Sequence, residues 1–149
     1  MSKTSRPRSL VDAISVVLVD THILAYLTIQ GDRTASAQQL FERDSDWCSE
    51  AFVMVEYSNV IATYVRTGAL TQAQGTKLMA EAPAHIPTLH NVMNTQALET
   101  AMQFGISAYN ARFIALAKQL KLKLVTEDSK LRIAVPSWTM SLADALKTP

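Results

Sequence analysis

The sequence has a single cysteine, Cys48, so it offers no intrachain disulfide and no zinc site built on cysteine. That usage fits a reducing cytoplasm, which is the expected location. No apolar run approaches the roughly 18 residues of a membrane span. The opening, MSKTSRPRSL, lacks the apolar core of a secretion signal. There is no strong excess of one charge either: 14 basic and 13 acidic residues leave a net +1, which excludes neither a nucleic-acid nor a protein partner. A Pro/Gly-rich linker, an internal repeat and a G-x-G-x-x-G phosphate turn are all missing. The aromatic residues show no interleaved pattern for stacking single-stranded RNA.

What is present is material for one core: 149 residues, 48% of them hydrophobic. Residues 1–13 read as a basic tail carrying Lys3, Arg6 and Arg8, either flexible and solvated or an arm that touches nucleic acid. Residues 14–149 read as a single domain.

Within it, strand and helix patterns alternate. Ile14–Val19 is a short apolar run rich in β-branched residues, as in a strand buried on both faces. Helical patterns follow at His22–Ile29 and Thr34–Arg43, then a short strand at Trp47–Cys48. A long helix is expected over Glu50–Arg66, closed by Thr67-Gly68, and another over Thr71–Glu81, ended by Pro83. A short strand at His85–Leu89, helices at Asn91–Phe104 and Ser107–Leu120, and a strand at Leu122–Thr126 come next. Trp138–Met140 suits a last strand, and Ser141–Lys147 a terminal helix. This order predicts an α/β fold, a three-layer α/β/α sandwich around a mainly parallel sheet. Right-handed crossovers then place the strand C-termini along one edge, where ligands of open α/β sheets bind.

Acidic residues fall at that edge. Asp20 directly follows ISVVLV, and Asp128 closes LKLVTED. Each alone reads equally well as a helix cap; the pair suggests a shared site. Glu56 shares a helical face with Phe52, Val53, Val60 and Thr63, so it is either half-exposed at the stripe's edge or buried with a partner. No basic residue lies on that face, which leaves a metal ion as the candidate partner. Asn110 shares a face with Ile106, Phe113, Ile114 and Ala117, and its amide oxygen is a weaker ligand for a hard cation. Carboxylates crowded together either take up protons or bind a cation. Oxygen-only ligation points to Mg²⁺ or Mn²⁺, and such an ion suits phosphodiester hydrolysis.

At these residues the chain resembles PIN domains, with VapC-type toxins of toxin–antitoxin pairs as the nearest branch. VVLVDTHILAYL, EAFVMVEYSNVI and ISAYNARFIALAKQLKLKLVTEDSKL stand in the family's order, and the similarity spans about Val16 to Leu146. The resemblance implies a metal-dependent ribonuclease with Asp20, Glu56 and Asp128 as its acids and Thr126 positioning a ligand or water. The family's third acid falls on Asn110, which lowers the site's charge by one. Glu127 is a candidate to compensate, although neighbouring strand residues face opposite ways. The resemblance also implies an RNA substrate, a homodimer and a small antitoxin lying across helices near the cleft. Ile23, Leu24, Leu27, Tyr57 and Tyr64 are the apolar candidates for that contact, or else ordinary core.

The other polar residues are weaker candidates. His22 suits the cleft mouth or an open surface, while His85 and His90 read as structural. Arg112, Lys118, Lys121, Lys123, Lys130 and Arg132 are candidates for a phosphate-facing surface, Lys130 and Arg132 most of all. The alternative function is a catalytically impaired PIN-like module that binds RNA or protein. A phosphoacceptor receiver domain fits poorly, because the first strand ends in one acid, Asp20-Thr21, and no Lys follows Trp138–Met140.

Overall fold

The structure is a computed structural model that describes residues 16–148. The expected tail, and Ile14 and Ser15 of the expected first strand, lie outside the described residues.

Five strands form one parallel sheet: β1 (Val17–Val19), β2 (Trp47–Glu50), β3 (Thr88–His90), β4 (Leu124–Val125) and β5 (Thr139–Met140), in the order β3-β2-β1-β4-β5. Every pairing is parallel, with Leu18 opposite Cys48 on one side and Leu124 on the other. The central strands are buried on both faces, which is why they read as continuous apolar runs.

Eight α-helices cover the sheet among the described residues: α1 (Thr21–Thr28), α2 (Thr34–Arg43), α3 (Phe52–Arg66), α4 (Gln72–His85), α5 (Asn94–Phe104), α6 (Ala108–Leu120), α7 (Ser129–Ala134) and α8 (Leu142–Lys147). The connections β1→β2→β3 run one way across the sheet. Those from β3 to β4 and on to β5 run the other way. Right-handed crossovers therefore put α1–α4 on one face and α5–α7 on the opposite face. α5 packs on α6, and α8 returns to α2, so the expected three-layer sandwich forms. The direction reverses at β1 and β4, and the crevice beyond their C-termini is where such sheets bind ligands.

The helix boundaries have local causes. Asp20, Thr71, Ser107, Asp128 and Ser141 each cap a helix by accepting the backbone N–H three residues on. Gly105 ends α5 in the left-handed region at φ 65°, a conformation cheap only without a Cβ. The expected stop at Pro83 is a correction. α4 runs through it to His85, because a proline one turn from the C-terminus removes only one intrahelical bond, and Ile86 N–H still donates to Ala82. α7, set between β4 and β5, was not expected; six residues after an Asp cap leave little periodicity to read.

Candidate metal centre

The cavity beyond β1 and β4 has a volume of about 460 Å³. Asp20, Glu56, Asn110 and Asp128 all line it, together with Thr21, His22 and Asn59. The polar residues singled out from distant segments thus reach one place. Each arrives on a different element: Asp20 after β1, Glu56 mid-way along α3, Asn110 in the first turn of α6, Asp128 after β4.

Asp20 is 9% exposed. One carboxylate oxygen accepts the Ile23 N–H at 3.2 Å, so the helix-cap reading of this acid is also true. Burial pushes its pKa up to about 6. Hydrogen bonds from the Thr126 hydroxyl and the Ile23 amide, and the nearby His22, act the other way, while the charge of Glu56 adds to the rise.

Thr126 is fully buried and connects the two strand-end acids. Its hydroxyl bonds to Asp20 and accepts the Asp128 N–H at 3.1 Å. Asp128 in turn caps α7 by accepting the Leu131 N–H at 3.0 Å, with its side chain open to the cavity.

The buried stripe of α3 is Val53, Tyr57 and Ile61, and Glu56 lies beside it, half-buried at its edge. Its described partner is the Thr21 hydroxyl, which donates to Oε1 at 2.6 Å. In the sequence Thr21 stands out only as the residue after Asp20. That hydroxyl, aimed across 35 positions at Glu56, carries no local signal.

Asn110 is half-buried, with its backbone N–H held by the Ser107 cap at 3.0 Å. Glu127 faces away from the cavity. It takes Arg33 at 2.6 Å, the Leu142 N–H at 2.9 Å and Arg132 at 3.6 Å, so it does not stand in for the missing acid.

Several partner and surface candidates settle elsewhere. Ile23, Leu24 and Tyr57 are core, and the Tyr57 hydroxyl bonds Thr28 at 2.7 Å. Leu27 is half-buried and Tyr64 partly exposed. Arg112 belongs to no phosphate-facing surface. Its Nε donates at 3.0 Å to Glu50, a carboxylate at the end of β2 that sequence reasoning passed over. Arg132 is tied to the Thr126 carbonyl at 2.8 Å. His22 is exposed on the cavity rim.

The donor set fits a hard divalent ion: three carboxylates, an amide and hydroxyls, all oxygen. Among the cavity's lining residues there is no Lys or Arg to balance the acids. The acids are nevertheless spread around the cavity. Among the described residues no three His, Cys, Asp or Glu side chains are gathered closely enough to enclose an ion.

Comparison with known proteins agrees with this architecture. Residues 17–135 match the family model described as PIN domain. Ribonuclease VapC3 of Pyrobaculum aerophilum is 22% identical over 125 residues, covering 81% of this chain and 95% of that protein. The crystal structure of PAE2754 from Pyrobaculum aerophilum superposes with a TM-score of 0.74 at 19% identity, over 91% of this chain and 96% of that one. The family match takes in both strand-end acids, Glu56 and Asn110, on the sheet edge where the cavity lies, and the chain belongs to the PIN domain family.

Proposed function

We propose that this protein is a Mg²⁺- or Mn²⁺-dependent ribonuclease, the toxin of a toxin–antitoxin pair, acting on RNA phosphodiester bonds. The observation that carries the reading is the convergence of Asp20, Glu56 and Asp128 on one cavity with no Lys or Arg in its lining. An RNA phosphate would meet only repulsion there unless a cation lay between. Asp20, Glu56 and Asp128 would hold that cation, with Asn110 as a weaker oxygen ligand or a water anchor. When bound, the ion supplies Lewis-acid polarisation of the phosphoryl oxygen and an acidified water as nucleophile.

The chain's own part is orientation. Thr21 holds the Glu56 carboxylate, and Thr126 holds Asp20 on one side and the backbone of Asp128 on the other. The cap bonds from Ile23 and Leu131 each use Oδ1 of the acid and fix how the Asp20 and Asp128 side chains are turned. The relative named Ribonuclease VapC3 supports the ribonuclease reading. The likeness to VapC-type toxins also supports a small antitoxin partner and a homodimer working in the cytoplasm. No helix among the described residues is long and apolar enough to cross a membrane.

Asn110 favours a second reading, an impaired PIN module that still binds RNA or protein. One nuclease assay decides between them. Purified protein is incubated with single-stranded RNA in Mn²⁺, Mg²⁺ or EDTA, beside Asp20→Asn and Asn110→Asp. The ribonuclease reading expects cleavage that EDTA and Asp20→Asn abolish. Near-normal cleavage by Asp20→Asn sinks the assignment. Cleavage that appears only in Asn110→Asp establishes the impaired module.

A further inference from the structure

The cavity has an apolar wall that the acid chemistry leaves unused. Tyr109, in the first turn of α6, is 63% exposed at its edge. Its ring stacks on Phe52, with centroids 5.5 Å apart and planes 10° from parallel. Val55, also exposed, extends the wall along α3.

The pair is held from behind. The Phe52 N–H donates to Glu50 Oε1 at 2.6 Å, and the Arg112 guanidinium lies 6.0 Å from the Phe52 ring centre. Arg112 is itself fixed by Glu50 Oε2 at 3.0 Å, the Val92 carbonyl at 2.7 Å and the Asn94 side chain at 2.8 Å. A partly buried ionic network therefore backs Phe52, on which the solvent-exposed Tyr109 ring stacks. Such a surface is ordered before anything binds, so little entropy is lost when a flat ring settles on it.

We propose that Phe52 and Tyr109 form a stacking platform for a nucleobase of single-stranded RNA beside the scissile phosphate. This rests on the ribonuclease reading and adds to it how the strand is gripped. Phe52 covers one face of the phenol, and the exposure of Tyr109 leaves the other for a base. The same cavity brings the phosphate side of that nucleotide to Asp20, Glu56 and Asp128. A base inside a duplex already has both faces stacked, so the platform selects unpaired RNA. Stacking accepts every base, so the platform positions the strand with little sequence preference.

The test uses the full chain, Mn²⁺ and a single-stranded oligoribonucleotide, with initial rates for the wild type, Tyr109→Phe and Tyr109→Ala. A companion oligoribonucleotide carries 2-aminopurine, whose emission falls when it stacks. Tyr109→Ala is expected to raise KM by about five- to a hundredfold with kcat little changed, and to lose the quenching. Tyr109→Phe keeps both, since it keeps the ring. Tyr109 is exposed, so its variants should retain the wild-type thermal midpoint. If the wild type cleaves RNA and Tyr109→Ala has the same KM, the platform is overturned and the ribonuclease reading survives. If the wild type neither binds nor cleaves RNA in Mn²⁺, both readings fall together.

Discussion

Arg112, in the middle of α6, donates its Nε to the fully buried carboxylate of Glu50 at the end of β2, 3.0 Å away. The same carboxylate accepts the N–H groups of Phe52 and Val92. The pair thus ties the start of α3, the segment after β3 and helix α6 together beside the cavity. An ionised group at such depth is tolerable because its lone pairs are used and its charge is matched.

Removing one partner should therefore be costly. Arg112→Ala strands the Glu50 charge and is expected to lower stability by about 3–5 kcal/mol in urea denaturation. Adding Glu50→Gln should recover part of that loss. The charge is then gone, while the amide oxygen can still accept from a backbone N–H. A loss below about 1 kcal/mol for Arg112→Ala would show that the pair is not what holds these segments.

Asp20 gives the opposite result. Its pKa is raised by burial from 3.8 to about 6, so the folded metal-free protein resists its ionisation. Stability contributed by the neutral form is lost as pH climbs from about 4 to about 6, and the penalty is constant above that. Its full size is on the order of 3 kcal/mol. Asp20→Asn keeps the capping oxygen without the charge. In EDTA the variant should be more stable than the wild type at pH 7.5, and the advantage should shrink at pH 4.5. Mn²⁺ should stabilise the wild type and not the variant. An Asp20→Asn protein that melts earlier than the wild type at pH 7.5 in EDTA would contradict this account of the site.

Gly75 lets α4 lie close on α3. A Cβ built there would stand 2.9 Å from Ile61 Cγ2 and 3.0 Å from Val65 Cγ2. Both neighbours are β-branched and stiff at χ1, so they yield poorly. Overpacking of this kind costs about 1–3 kcal/mol, against a helix-propensity gain of about 1 kcal/mol for alanine. Gly75→Ala should therefore lower the urea midpoint at unchanged slope. A higher midpoint would mean that the two helices separate freely.

The sequence by itself determined the fold class and the acid inventory. Short β-branched runs such as VVLV suit strands buried on both faces, and the helical patterns between the strands call for crossovers of one hand. Asp20 and Asp128 are visible because each stands within two residues of the end of such a run, on the edge where ligands of open α/β sheets bind. Glu56 stands out because it borders an apolar stripe. Other features waited on the tertiary structure. Glu50 and Arg112 lie 62 positions apart, Thr21 and Glu56 35 positions apart, and no local period links them. Phe52 and Tyr109 look like unrelated aromatics until α3 and α6 bring their rings together at the cavity. Periodicity records which side of an element avoids water. It does not record which two elements meet, and that is decided by the order of strands in the sheet and by the packing of helices across it.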